Sequence, residues 1–130
     1  MTTSVLFLCP HSAAKSVASA TFLRDRAARR GIAVDVTNAG THPDEIVLPI
    51  VRERLEGDGL DVQSVPHVVT VEELDAADVI VNIGCDHDDL PSTEKPMVEW
   101  SIPNFSDDPV VAFAAIEQHV DEMVDALAQR

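Results

Sequence analysis

VLFLCPHSAAKS, residues 5–16, joins a short apolar run to a loop of small residues. Residues 4–8 are apolar and compatible with β structure, so they predict a buried strand. From residue 16 to residue 30 the apolar and small side chains recur at helical spacing, and four arginines crowd the end that precedes Gly31. Cations suit the C-terminal end of a helix, and glycine commonly stops one. We therefore expect a strand, a tight loop and a helix in succession.

The alternation of strands and helices continues along the chain. The hydropathy pattern predicts further strands at 32–36, 60–65, 79–83 and 97–102, of which 60–65 would be an edge strand. It predicts loops at 38–43, 84–89 and 103–108. Further helices are expected to begin near Pro49, after the cap Thr70 and at Pro109. This order indicates an α/β fold of three layers, with a central parallel sheet of about four strands and helices on both faces.

Length and composition describe one acidic globular domain that spans residues 1–130. Apolar residues make up 45% and charged residues 25%, which are ordinary values for a folded protein. The formal net charge of −14 would repel phosphate backbones and anionic lipids, so we expect neither nucleic acid nor a membrane as a partner. The apolar run near the N-terminus is too short for a signal sequence or a membrane span. With two cysteines in the chain, the composition predicts a cytoplasmic protein.

The charge distribution places a possible anion site in the first half of the chain. Residues 1–54 hold seven Lys or Arg against five Asp or Glu, whereas residues 55–130 hold two against 18. Ligands of open parallel sheets bind at the carboxyl ends of the strands, where the first loop must lie. The loop consists of Pro10, His11, Ser12, Ala13 and Ala14. Its small residues let backbone N–H groups converge on an anion, and the helix start adds a positive dipole, so we expect Cys9 to carry a reactive thiolate there.

Cys9, five loop residues and Lys15-Ser16 resemble the active-site loop of the low-molecular-weight protein tyrosine phosphatase superfamily, which includes cysteine-dependent arsenate reductases. Residues 38–43, Asn-Ala-Gly-Thr-His-Pro, resemble the Ser-Ala-Gly-Thr stretch of the reductases and its downstream proline. Asp107-Asp108-Pro109 resembles the Asp-Pro that carries the general acid of the family. Four shorter matches fall in the same order, at 59–62, 77–81, 84–85 and 99–100. The resemblance implies the fold of this superfamily and is closest to its arsenate reductase branch.

The resemblance also implies a role for four residues. Cys9 matches the nucleophile, Ser16 the hydroxyl that supports the thiolate, and Asp108 the general acid. Lys15 stands at the position of the phosphate-clamping arginine, but an ammonium cannot fork onto two oxygens as a guanidinium does. Losing one transition-state donor costs roughly 10²–10³-fold in rate. From the residues alone, Ser16 and Asp108 are also ordinary candidates for helix caps.

Two further residues, Cys85 and His11, have open interpretations. Cys85 follows a predicted strand at the sheet edge where Cys9 lies, so it is either a resolving thiol or a structural one. The run from Cys85 to Asp89 contains acids and a histidine, yet consecutive acids on a loop are usually solvated, so we expect no metal there. His11 lies inside the loop, where it either tunes the thiolate or is incidental. Trp100 is expected in the core.

The sequence favours an arsenate-reductase-like enzyme whose Cys9 thiolate attacks the oxyanion. Reduction would need a second thiol, either Cys85 or an external reductant such as glutathione, mycothiol or a redoxin, and no resident cofactor is expected. One alternative is a phosphatase that cleaves a phosphomonoester through phosphocysteine, although the aromatic wall that grips phosphotyrosine is missing after Pro109. Another is a non-catalytic module that binds phosphate or arsenate, because Lys15 replaces the usual arginine.

Overall fold

A parallel sheet of four strands forms the centre of the computed structural model, which describes residues 2–129. The strands are β1 (Thr3–Leu8), β2 (Val34–Ala39), β3 (Val79–Asn82) and β4 (Val98–Glu99). Their order across the sheet is β2-β1-β3-β4, and each neighbouring pair is parallel. The predicted parallel sheet is therefore confirmed, with β1 at an inner position.

Helices cover both faces of the sheet. They are α1 (Lys15–Arg29), α2 (Pro49–Gly57), α3 (Val71–Ala76) and α4 (Pro109–Ala128). Side chains of a strand alternate between the two faces, and β1 follows this rule. Phe7 and Cys9 pack into a cluster that includes residues of α1, α2 and α4, whereas Leu6 and Leu8 pack into a second cluster with Leu74 of α3. The expected three-layer architecture is confirmed.

The predicted helix starts are also confirmed. Pro49 and Pro109 occupy the first turns of α2 and α4, where the missing N–H of proline costs no hydrogen bond. Thr70 accepts a hydrogen bond from the N–H of Glu73, and the Glu73 carboxylate accepts one from the N–H of Thr70. This reciprocal capping box fixes the start of α3. Within residues 2–129, no helix combines the length and apolar content needed to cross a membrane.

The second strand lies further along the chain than the prediction of 32–36. Every residue of β1 has a partner in β2, from Thr3 opposite Val34 to Leu8 opposite Ala39. Asn38 is therefore part of the strand and not of the following loop. This register brings the Asn38 side chain to the end of β1 where the candidate loop begins.

Two other strand predictions need correction. Residues 60–65 form no strand, because alternation of apolar and polar residues does not supply a pairing partner. Residues 97–102 contain only the two-residue β4, since β3 ends at Asn82 and leaves little edge to pair with. Beyond β4, the N–H of Trp100 still donates to the carbonyl of Asn82, at 3.0 Å. Trp100 itself is buried in the core, as predicted.

Candidate active site

The loop after β1 lies at the carboxyl end of the sheet and leads directly into α1. It forms one wall of a cleft of about 400 Å³. The cleft is lined by loop residues and by four other segments of the chain: Cys9, Pro10, His11, Ala13, Ala14, Lys15, Asp44, Leu48, Ile83, Gly84, Asn104, Phe105 and Ser106. The structure therefore brings most of the predicted loop together at one cleft, as expected for a ligand site in an open parallel sheet.

The Cys9 sulfur faces two donors of Ser16. Cys9 Sγ lies 3.1 Å from the Ser16 hydroxyl oxygen and 3.4 Å from the Ser16 backbone nitrogen. Ser16 is fully buried and is the second residue of α1. The alternative prediction, that Ser16 caps the helix, is wrong: the capping position is Ala14, and among the described residues no side chain caps α1. When Cys9 is ionised, the hydroxyl and the N–H of Ser16 can both donate to the sulfur, an arrangement that favours the thiolate.

Backbone N–H groups of the loop are available for an anion. Among residues 2–129, the N–H groups of His11, Ala13, Ala14 and Lys15 have no hydrogen-bond partner within the protein. Unpaired backbone donors are costly when buried and are usually satisfied by a ligand or by water. Four such donors in five consecutive residues, at the start of α1, give the loop the donor set of an anion nest.

Asn38 braces the loop from the neighbouring strand. Ser12 adopts a left-handed conformation, with φ at +52°, which few residues other than glycine tolerate. The buried Asn38 amide donates to the hydroxyl oxygen of Ser12 at 3.3 Å and to that of Ser16 at 3.4 Å. This role was not predicted, because Asn38 was expected in a loop. A polar residue at the buried end of a strand beside β1 is the signal that would have found it.

The segment after β2 is hydrogen-bonded to the loop. The N–H groups of Thr41 and His42 donate to the Pro10 carbonyl at 3.1 and 2.7 Å, and the N–H of Asp44 donates to the His11 carbonyl at 2.9 Å. These bonds carry Asp44 into the cleft wall, where its carboxylate lies 3.3 Å from Nδ1 of His11. No local pattern predicts this contact, because its two residues lie 33 positions apart in the sequence.

Lys15 is held across the cleft by a residue that the sequence analysis did not single out. The Lys15 ammonium donates to Oδ1 of Asn104 at 2.9 Å. Asn104 lies in the loop before α4, and its carbonyl accepts hydrogen bonds from the N–H groups of Asp107 and Asp108. An ammonium has three donors, so Lys15 can keep this bond and still donate to an oxyanion.

Asp108 serves as the cap of α4. Its Oδ1 accepts hydrogen bonds from the N–H groups of Val110 and Val111 at 3.1 and 3.3 Å. Among the residues that the structure describes, those lining the cleft include Asn104, Phe105 and Ser106 but not Asp108. The capping role that the sequence allowed is therefore present, and the general-acid role stays a prediction.

Cys85 is not among the residues that line the cleft and packs in the second core cluster, whereas Cys9 belongs to the first. It follows β3 as predicted, and the side chain of Asn82 holds its backbone N–H and carbonyl at 2.9 and 3.0 Å. Burial raises the pKa of the Cys85 thiol to about 11. At neutral pH this sulfur is a neutral thiol, and only the thiolate is a good nucleophile. Within residues 2–129, no three His, Cys, Asp or Glu side chains are grouped to hold a metal ion.

Two proteins named as arsenate reductases are similar in sequence to this chain. A Halobacterium salinarum protein named "Putative arsenate reductase" is 29% identical over 111 residues, which span 83% of this chain and 75% of that protein. The crystal structure of an arsenate reductase from Archaeoglobus fulgidus is 28% identical, covers 93% of this chain and 98% of that one, and has a TM-score of 0.76.

A thioredoxin-dependent arsenate reductase from Corynebacterium glutamicum shares the fold, with a TM-score of 0.80 at 23% identity. The match covers 98% of this chain but only 62% of that longer chain. The family model for the low molecular weight phosphotyrosine protein phosphatases, which are enzymes, matches residues 4–100. This chain therefore belongs to the low molecular weight phosphotyrosine protein phosphatase family.

Proposed function

We propose that this chain is an arsenate-reductase-like enzyme in which the Cys9 thiolate attacks the oxyanion. The observation that carries the proposal is the position of the Cys9 sulfur, which faces the hydroxyl and N–H of Ser16. The loop that begins at Cys9 also has four N–H groups without a hydrogen-bond partner among the residues that the structure describes. A nucleophile and an anion nest in one loop suit a tetrahedral substrate better than a planar carbonyl compound. The similarity to two arsenate reductases supports arsenate as that substrate.

The proposed reaction has two chemical steps. In the first, the Cys9 sulfur forms a bond to arsenic while one arsenic–oxygen bond breaks, and the departing oxygen leaves as water after it takes up protons. Loop N–H groups and Lys15 stabilise the remaining oxygens. In the second, another thiolate attacks the Cys9 sulfur and forms a disulfide. The electron pair of the sulfur–arsenic bond stays on arsenic, which leaves as arsenite.

An external thiol fits the second step better than Cys85. The Cys85 side chain is 95% buried, packs in the other core cluster and has a pKa raised to about 11. A small thiol such as glutathione or mycothiol, or a redoxin, would reach the Cys9 sulfur through the open cleft. We therefore place the reductant outside the chain. If Cys85→Ser slows arsenate turnover with an external thiol in excess, this assignment is wrong.

A phosphatase activity is the second candidate, and the family match favours it. The same first step on a phosphomonoester releases an alcohol and leaves phosphocysteine, which water hydrolyses without any second thiol. Among the residues described, Cys9 is the only cysteine that lines the cleft, which is sufficient for this reaction.

One pair of assays separates the two candidates. Arsenate-dependent oxidation of added thiol, lost in Cys9→Ser, would support the reductase. Hydrolysis of 4-nitrophenyl phosphate without thiol, also lost in Cys9→Ser, would support the phosphatase. Absence of both activities would refute the proposed function, and retained phosphate binding by calorimetry would then leave an oxyanion-binding module.

A further inference from the structure

The side chain of Lys15 is held in the cleft by one residue from a distant segment of the chain. Its ammonium donates to Oδ1 of Asn104 at 2.9 Å, although the two residues lie 89 positions apart in the sequence. Both residues line the cleft. We propose that Asn104 is the positioning residue that lets a lysine act where the family pattern has an arginine. This inference rests on the proposed binding of an oxyanion by the loop and Lys15.

A lysine needs such an anchor more than an arginine does. Its ammonium is a compact charge on a flexible stem, whereas a guanidinium is planar and forks onto two oxygens in a fixed geometry. An ammonium that nothing holds can occupy many positions, and ordering it on the substrate costs conformational entropy. The bond to Asn104 restricts the ammonium before the oxyanion arrives, and it leaves two of the three donors free for that oxyanion.

The fold holds Asn104 itself in place. Its carbonyl accepts hydrogen bonds from the N–H groups of Asp107 and Asp108 at 3.1 and 3.3 Å. The next residue, Phe105, is buried and packs edge-on against Phe113 of α4, with the ring centroids 4.7 Å apart. Asn104 thereby joins Lys15 to the segment that carries Asp108, the predicted general acid. The residue itself is exposed, so a substitution of its side chain leaves the core intact.

The acceptor that holds Lys15 is neutral, which distinguishes this lysine from most cations of the acidic chain. Among residues 2–129, five arginines pair with carboxylates: Arg26, Arg29, Arg30, Arg52 and Arg54. In the same part of the chain, no carboxylate pairs with Lys15, whose ammonium donates to an amide oxygen. An ionised carboxylate would compete with the oxyanion for the ammonium and offset its charge. An amide oxygen orients the ammonium and leaves its charge available for the oxyanion.

The test compares the effect of Asn104→Ala in the wild-type protein and in Lys15→Arg. Calorimetry measures the Kd for inorganic phosphate, and hydrolysis of 4-nitrophenyl phosphate gives kcat/KM. In the wild-type protein we expect Asn104→Ala to raise the Kd and to lower kcat/KM, each by about tenfold. In Lys15→Arg we expect changes below about threefold, because the guanidinium is already preorganised. A residue that only supports the loop would cause equal losses in both backgrounds.

A second variant, Asn104→Asp, tests the neutrality of the acceptor. It keeps the shape and the acceptor oxygen but adds a negative charge, so it should lower kcat/KM by about 100-fold, more than Asn104→Ala does. A purely structural role predicts the reverse order, since aspartate is the closer substitute for asparagine. Gln118→Glu is the matched control, because it makes the same change of amide to carboxylate on an exposed residue of α4 outside the cleft. It should change neither the Kd for phosphate nor kcat/KM.

The outcomes are distinct. A loss in Asn104→Ala that is confined to the lysine background, with Asn104→Asp the more severe variant, supports the inference. Equal losses in both backgrounds overturn it, and so does unchanged phosphate binding in Asn104→Ala or a milder effect of Asn104→Asp. The proposed function fails separately, if the wild-type protein and Cys9→Ser are equally inactive on arsenate and on 4-nitrophenyl phosphate. Phosphate binding needs no turnover, so in that case calorimetry still decides the role of Asn104.

Discussion

Gly40 is the position at which one added methyl group should most disturb the catalytic loop. A Cβ at Gly40 would lie 2.5 Å from the carbonyl oxygen of Cys9, 2.7 Å from that of Pro10 and 2.9 Å from the backbone nitrogen of Ser12. All three are main-chain atoms, so no side chain can rotate away. To reach ordinary contact at 3.4 Å, the Cys9 carbonyl must retreat by about 0.9 Å.

The expected size of the effect follows from that displacement. Overpacking of this kind costs about 1–3 kcal/mol, and a shift of about 1 Å in a catalytic group costs about 10²-fold in rate. Gly40→Ala should therefore lower the free energy of unfolding by about 1–3 kcal/mol and lower kcat/KM for 4-nitrophenyl phosphate by about 100-fold. Urea unfolding can be followed by the fluorescence of Trp100, which is buried and is the single tryptophan of the chain.

Gly57→Ala is the matched control. Gly57 is the last residue of α2, and a Cβ there would meet no atom of the described part of the chain within 4 Å. Because alanine is the better helix former, this variant should be unchanged or more stable by up to about 1 kcal/mol, with full activity. If Gly40→Ala is as stable and as active as the wild-type protein, the close approach of Gly40 to the loop does not constrain the site.

Three further predictions concern the loop and the second cysteine. Asn38→Ala should lower the free energy of unfolding by about 1–3 kcal/mol and lower kcat/KM, because the buried hydroxyls of Ser12 and Ser16 lose their donor; unchanged values in urea unfolding and ester hydrolysis would contradict the bracing role. Lys15→Arg should raise kcat/KM for phosphate esters, because a guanidinium can fork onto two oxygens; a lower value would show that the loop is not a weakened arginine site. Cys85→Ala should flatten the alkaline decline of stability. In the wild-type protein, the raised pKa of the Cys85 thiol contributes about 2–3 kcal/mol to the free energy of unfolding. This contribution is fully present below about pH 9 and is lost as the pH rises to about 11, since the thiol ionises first in the unfolded chain. Urea unfolding across that pH range measures the decline, and an equal loss of stability with rising pH in both proteins would refute the effect of burial.

The helices that the sequence predicts correctly have either a hydropathy pattern that repeats over many residues or a local capping motif. The 20 residues of α4 place their apolar side chains on one face, and the capping box of Thr70 is a local signal for α3. Residues 60–65 alternate like a strand but have no partner, and β4 has two residues, too few to show any period. Strand pairing is a property of two segments, so one segment cannot predict it.

The residues of the candidate site also fall into two groups: those that a local motif predicts and those that only the fold brings together. Cys9, Ser16 and the loop between them are adjacent in the sequence, so a local motif predicts them. Asn38, Asp44 and Asn104 reach the loop from β2, from the segment after it and from the loop before α4. Their contacts depend on the order of the strands and on hydrogen bonds to backbone carbonyls of the loop, which no local pattern in the sequence encodes.

Both candidate functions require the Cys9 sulfur to accept a tetrahedral group covalently. Acid quenching during turnover of 4-nitrophenyl phosphate, followed by mass spectrometry of the peptides, would detect that adduct. We expect one added phosphoryl group on the peptide that contains Cys9, and none on any peptide of Cys9→Ser, in which Cys85 is intact. Continued turnover without a phosphoryl group on Cys9, or the same adduct on another residue, would contradict it.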